Sequence, residues 1–294
     1  MKQRSKRSDK GFNKFIVVFW AVALLVCLLP IAYVFSVSLS SKQAVESGKV
    51  LFYPVNATIA SYKSLFRSNQ VVVAIKNSMI IMLVGTMFSV IFSVICAYPL
   101  SKANLKGRKI VLGFILFTMF FKSGIIPRFV LMKQLGLVNT YFSVWLSNLA
   151  SIFNIFILKT SFETVPKSLE EAAKIDGAGD ARILFEVYLF LSMPAIISVA
   201  LFYMVSWWNE YYTVMLFIHK SDMMPIVLRV QQMIETVSES FLTLSQKDAQ
   251  MQQTIAGSSI KCAGIVVCML PMVCISIPLQ KYYIKGSILN INKE

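Results

Sequence analysis

A chain of 294 residues could form one or two soluble domains, but 56% apolar residues against 15% charged ones exclude that default, as does a mean hydropathy of +0.67. A soluble fold of this size could not hide so much apolar surface without large sticky patches. The net charge of +15 does not indicate a nucleic-acid binder, because the 29 Lys and Arg are spread over connecting segments and are explained by the positive-inside bias of membrane proteins.

The elements follow in chain order as an all-α integral membrane protein. Residues 1–14 are a basic cytoplasmic tail carrying Lys2, Arg4, Lys6, Arg7, Lys10 and Lys14. Residues 15–41 form an uncharged run, too long for the apolar region of a signal peptide and without a clear cleavage site, so an uncleaved first transmembrane helix is expected. An external segment, 42–76, contains Tyr53-Pro54 and short amphipathic stretches suited to interfacial helices. The transmembrane core is expected over 72–281. Its second span is 77–101, followed by a tight basic connection with Lys102, Lys106, Arg108 and Lys109. A short third span, 110–121, stops at Lys122, with Pro127 and Arg128 behind it. The fourth span, 134–158, holds Asn148 and Asn154, whose amides suit hydrogen bonding between helices. A charged cytoplasmic loop at about 159–186 leads to the fifth span, 187–209. A long external segment, 219–261, precedes the sixth span, 262–280, and a short cytoplasmic tail, 282–294. Six spans leave both termini inside, with the basic residues denser on the inner segments.

The five cysteines lie in apolar runs without paired spacing, and His219 is the only histidine. No catalytic residues and no metal site are expected, so the chain does not read as an enzyme. Its only Gly-Lys pair, Gly48-Lys49, is followed by Val50 and lacks the upstream glycine of a phosphate-gripping loop.

Two constellations carry functional expectations. The first is Glu171-Ala172-Ala173-Lys174-Ile175-Asp176-Gly177 in the charged loop. Ser168 and Glu171 have the S-x-x-E spacing of a capping box, Pro166 precedes them, and Gly177 suits the left-handed residue that closes a helix. Asp180 is placed to cap a second helix. The spacing predicts helix, tight turn, helix. The second constellation is Tyr203, Trp207 and Glu210, at i, i+4 and i+7 on one face of the fifth span. Glu210 is the one charge between residues 187 and 219, and an ionised group in hydrocarbon costs roughly 2.5–3.5 kcal/mol. Two readings stand side by side: a face lining a translocation path, with Asn209 bonding substrate, or an interfacial packing cluster.

Glu171, Ala172, Ala173 and Gly177 resemble the E-A-A-x-x-x-G signature of the membrane subunits of ATP-binding-cassette (ABC) importers. The fuller phrase from Glu170 to Ala178, which includes Asp176, is similar to the sugar-transporting branch. Asn104-Leu105-Lys106-Gly107-Arg108, Gly124-Ile125-Ile126-Pro127, Trp208-Asn209-Glu210-Tyr211 and Leu279-Gln280-Lys281-Tyr282 resemble further landmarks of sugar-importer permeases. The likeness runs from about residue 15 to 286. The chain departs from the signature's following I-x-L-P at Val187-Tyr188-Leu189-Phe190, with Pro194 four residues on, which implies a displaced helix break. The resemblance implies a type I ABC importer permease fold in a bacterial cytoplasmic membrane. It also implies coupling to two ABC ATPase subunits, which use the ATP, through Glu171, Ala172, Ala173, Asp176 and Gly177. A second permease subunit, as a heterodimer, and an extracytoplasmic solute-binding protein would complete the assembly, with a sugar or oligosaccharide as cargo. The alternatives are the same architecture importing another solute, or a secondary transporter, which would show inverted repeats or intramembrane charge relays.

Overall fold

The computed structural model describes residues 5–67, 69–121, 123–233 and 258–276, and every regular element among them is helical. The chain divides into two units, Met1–Asn69 with Val230–Met269, and Gln70–Arg229 with Leu270–Glu294.

In the first unit, α1 (Ser5–Ser38) is apolar on every side from Phe15 onward, with Phe15, Trp20 and Leu24 all exposed. A helix apolar all round is built for a hydrocarbon surround. It ends at Ser38 rather than residue 41, because the following chain folds back on it. The Thr58 N–H donates to the Leu39 carbonyl at 2.7 Å and the Ser41 N–H to that of Val55 at 3.2 Å. Ser40 Oγ donates to the Ser36 carbonyl and accepts from the Val55 N–H. Two short helices occupy the segment expected to hold them, α2 (Lys42–Glu46) and α3 (Ala60–Arg67). Val37, Ala44 and Val50 make a small core there, and Ser38 Oγ shares a 2.8 Å hydrogen bond with Tyr62 Oη.

The second unit is organised on α4 (Asn69–Ser101). Its buried residues recur every three or four positions and are mostly small: Ala74, Ser78, Gly85, Ser89, Ser93 and Ala97. Such a stripe lets neighbouring backbones approach closely in a membrane. Leu83, Met87, Ile91 and Ile95 are exposed on its other side. The helix starts at Asn69 instead of residue 77. Lys76 lies on its exposed side, and buried Asn77 is satisfied by donating Nδ2 to the carbonyls of Asp222 and Met224 at 2.7 and 3.1 Å.

Beyond α4, the expected spans are interrupted. The third is α5 (Arg108–Phe120), with no buried residue, followed by a separate α6 (Ile125–Gln134). The fourth opens at Tyr141, after the chain has turned through positive-φ Gly136 and Asn139. It consists of α7 (Tyr141–Ser147) and α8 (Ile152–Glu163), bent by 58°. Next come α9 (Lys167–Ile175), α10 (Asp180–Ile183), a π-helical segment (Leu184–Tyr188) and α11 (Leu189–Leu191). An 83° bend leads into α12 (Met193–Trp208), which carries Pro194 in its first turn. The break is therefore displaced from Phe190 to the proline, as the sequence implied. Helix α13 (Tyr212–Phe217) follows, then α14 (226–233) and α15 (Ser258–Ser276).

Among the described residues three helices are long and apolar enough to cross a membrane, Phe12–Ser38, Asn69–Ser101 and Ser258–Ser276, or up to six spans if each bent pair counts as one. The expected features at 234–257, at 277–280 of the sixth span and in the 282–294 tail lie outside the described residues.

Candidate functional site

Helix α9 begins directly after Pro166, whose φ of −59° is already suited to helix entry, and no side chain caps it. The expected capping box is therefore not formed. Ser168 falls at the second helical position rather than at the cap, so the S-x-x-E spacing is two residues out of place. Asp180 likewise is the first residue of α10 and Gly179 occupies its cap, so the Asp180 carboxylate acts through its charge, on the helix dipole and on Lys174, rather than as a cap.

The other end of α9 is closed as expected. Gly177 has φ +78°. The Ala178 N–H donates to the Ala173 carbonyl at 2.9 Å and the Gly177 N–H to that of Lys174 at 3.1 Å, the two bonds of a Schellman closure. The chain is thereby turned tightly into α10.

The helix has two unlike sides. Leu169, Ala172 and Ile175 form an exposed apolar row, with Ile175 87% exposed; Glu171, Asp176 and Gly177 are also exposed, and Ala173 is half-buried. Glu170 faces inward. Its Oε2 lies 2.7 Å from Lys102 Nζ and accepts from the Tyr188 hydroxyl at 2.7 Å, while Oε1 accepts from Lys174 Nζ at 2.8 Å. Lys102 Nζ also donates to Tyr188 Oη at 2.9 Å and sits over the rings of Tyr98 and Tyr188, 4.4 and 4.1 Å from their centres. Burial alone pushes the Glu170 carboxyl up, but the hydrogen bonds from Lys102, Lys174 and Tyr188 outweigh it and hold its pKa at about 2. The Glu170 partnership in turn raises Lys174.

A second tie secures the start of the loop. Arg108 pairs through Nη2 with Glu163 and donates Nε to the Leu100 carbonyl at 2.9 Å, and Lys159 Nζ reaches both Glu163 oxygens at 2.9 and 3.0 Å.

On α12, Tyr203 and Trp207 share a face, but the helix ends at Trp208, so Glu210 is not on it. Tyr203 and Trp207 are each 3% exposed. Tyr203 Oη accepts from the Ser151 N–H at 3.0 Å and shares a 2.7 Å hydrogen bond with Ser93 Oγ. Trp207 Nε1 donates to Ser89 Oγ at 3.1 Å. Glu210 Oε1 instead accepts from the Thr213 N–H at 2.8 Å, capping the first turn of α13. Asn209 is exposed, with Nδ2 donating to the Val205 carbonyl. Asn148 Nδ2 donates to Thr213 Oγ1 at 2.9 Å, the kind of bond between helices expected of it.

The chain matches none of the protein-family models. It is 34% identical, over 96% of its length and 98% of the relative's, to the polygalacturonan/rhamnogalacturonan transport system permease protein YtcP of Bacillus subtilis. The chain belongs to the permease subunits of carbohydrate ABC importers. The permease is also 30% identical to protein LplC of Bacillus subtilis over 96% of this chain and 95% of that one. Among solved structures it superposes, with a TM-score of 0.83, on a chain of a bacterial ABC transporter involved in the import of the acidic polysaccharide alginate. Identity there is 31%, and the match covers 94% of this chain and 98% of that one. The permease is thus a membrane transport subunit and not an enzyme.

Sequence reasoning singled out Glu171 and passed over Glu170, the better-connected of the two. One signal was available: Glu170 and Lys174 are spaced i, i+4, with the glutamate N-terminal, the favourable order on a helix. Nothing local pointed to Lys102 or Tyr188. Among the described residues no cluster of three metal-ligating side chains occurs.

Proposed function

We propose that this permease forms half of the pore of an ATP-driven importer for acidic, uronate-containing oligosaccharides, with α9 as the helix through which partner ATPases drive it. One observation carries the reading. The full-length relatives include a polygalacturonan/rhamnogalacturonan permease and an alginate importer, and both names denote acidic polymers. The exposed row of Leu169, Ala172 and Ile175 supports docking of α9, because a small residue between two apolar ones admits a close partner surface. Glu171, Asp176 and the Gly177 turn complete that surface.

In this reading each bent helix pair crosses the membrane once, giving six spans with both termini in the cytoplasm of a bacterium, the side favoured by the basic tail and the basic connection at 102–109. Two ATPase subunits bind two permease chains, this one and a different partner, and a solute-binding protein delivers cargo from outside. A chain 14% identical to this one belongs to a bacterial alginate ABC transporter solved in complex with its alginate pentasaccharide-bound periplasmic protein. ATP is used by the partner. Closure of the ATPases draws the α9 helices together and opens the pore outward; hydrolysis resets it. Asn209 and Glu210, at the break between α12 and α13, contact the cargo, and buried Tyr203 and Trp207 hold that break in place.

The test is uptake by vesicles containing the permease with its ATPase, sister subunit and binding protein. ATP-dependent accumulation of an oligogalacturonide but not of a neutral malto-oligosaccharide is expected. Accumulation of the neutral sugar alone overturns the substrate class, and uptake by the permease without an ATPase overturns the whole reading.

A further inference from the structure

The short connection after α4 reads, in sequence, as a set of topology-determining charges. In the structure two of its basic residues hold the α9 loop at two points: Arg108 grips Glu163 where the loop begins, and Lys102 grips Glu170 inside α9. The second contact is the more elaborate. Four parts of the chain meet at it: the end of α4 with the residue after it (Tyr98, Lys102), α8 (Phe162), α9 (Glu170, Lys174) and the π-helical segment (Tyr188). Tyr188 packs edge-on against Tyr98 at 5.1 Å and Phe162 at 5.8 Å, so its hydroxyl is presented to the carboxylate by a fixed ring. Both Glu170 oxygens are occupied.

We propose that Glu170 is a positioning residue for energy coupling, a clamp through which displacement of α9 is delivered at once to the end of α4 and to the π-helical start of the chain's path into α12. This rests on the reading of α9 as the ATPase-driven helix. The physical argument is one of coverage and multiplicity. An exposed ion pair exchanges freely with water and transmits little, whereas here the Glu170 and Lys102 side chains are only 13% and 22% exposed, and Lys102 is also held by two aromatic faces. Pulling α9 away would strip the carboxylate of Lys102 and Tyr188 together, leaving only Lys174 of its own helix, so the low-energy response to a pull is for the end of α4 and the π-helical segment to follow. Adjacent Glu171 is exposed and free to serve the docking surface. The two glutamates therefore divide the work, one facing the partner and one facing the permease's own bundle.

The experiment compares the assembled wild-type transporter with E170Q and Y188F variants, reading three quantities: ATPase copurification, ATP hydrolysis, and oligosaccharide transported per ATP. Gln keeps the size of the side chain and removes the charge, and Phe keeps the ring and removes the hydroxyl. For E170Q, copurification is unchanged, hydrolysis stays within about twofold, and transport per ATP falls about tenfold or more, as expected when a force-bearing contact is misplaced. Y188F shows the same split to a smaller degree. Wild-type transport per ATP in E170Q overturns the proposal, and so does a parallel loss of ATPase binding, hydrolysis and transport. Should E170Q fail to assemble, Y188F is judged by the same criteria. A wild-type complex that does not couple ATP to uptake would instead sink the reading on which the clamp rests.

Discussion

Gly85 lies against the indole of Trp207 with no room for a side chain: a Cβ built there would stand 2.7 Å from two ring carbons. The ring cannot swing aside easily, because its Nε1 is held by Ser89 Oγ and the residue is almost wholly buried. Replacing Gly85 with Ala should therefore destabilise the permease by about 1–3 kcal/mol, the usual cost of overpacking a filled interior. Thermal unfolding in detergent checks this. A variant as stable as the parent would mean that α4 and α12 are not packed as described.

The hydroxyl of Tyr203 serves a different purpose. It satisfies the Ser151 N–H in the non-helical break between α7 and α8, and it also bonds Ser93. Tyr203→Phe leaves that amide without its partner, at about 1–3 kcal/mol. Faster hydrogen exchange at Ser151, alongside a lowered melting temperature, is the expected signature.

Glu210 can be dissected by two substitutions. Glu210→Gln keeps an oxygen to accept from the Thr213 N–H, so stability should hold within about 0.5 kcal/mol, whereas Glu210→Ala loses the cap at about 1 kcal/mol. If the charge acts on cargo, Gln lowers uptake without lowering stability. Unchanged uptake by the Gln variant at matched expression would confine Glu210 to capping.

The pH dependence of the clamp has a definite sign. The folded pKa of Glu170 is lowered to about 2, so its contribution to stability is complete above the ordinary carboxylate range and disappears as pH falls from that range towards about 2. Protection of the α9 backbone in hydrogen exchange, corrected for intrinsic rates, should therefore not change between about pH 8 and pH 5 on this group's account. A loss of protection within that window would mean that the carboxylate is not held as described.

Ile175, 87% exposed, offers the converse test. Ile175→Asp touches no packing inside the chain, so its melting temperature should match the parent's within error. ATPase copurification should nevertheless fall by about tenfold or more, since a charge would be forced into an apolar contact. Retained binding would show that the exposed row is not the docking surface.

Hydropathy and a short motif were enough to read an all-helical membrane protein, the presence of short helices somewhere within 42–76, and the Gly177 closure, because each depends on residues close together in the chain. The displaced break was legible for the same reason: Pro194 carries its own constraint. The helix start at Lys167 was not, since Pro166 and Ser168 offer competing signals and only the backbone decides between them. Averaged hydropathy also ran straight through the break at 148–151, and the helical-face reading carried the fifth span through the one at 209–211 to Glu210. Their polar groups are answered by Tyr203, Thr213 and Glu210, some of them far along the chain, so the breaks cost less than their sequence suggests. Lys102 was invisible as a partner of Glu170 for that reason too, its role being fixed by tertiary structure alone.

Successive residues of an α-helix are rotated by about 100°, which is why neighbouring Glu170 and Glu171 look in different directions. The ionic grip on Glu170 consequently fixes the rotational phase of everything else on α9, including which side chains the helix offers outward. Apolar-for-apolar substitutions along the row from Leu169 to Ile175 can be absorbed one at a time. A single inserted or deleted residue between Glu170 and Ala172 cannot, because with the grip kept Ala172 and Ile175 would be turned away by a quarter-turn or more. Indel scanning of the loop should find this stretch far less forgiving of changed length than of changed chemistry.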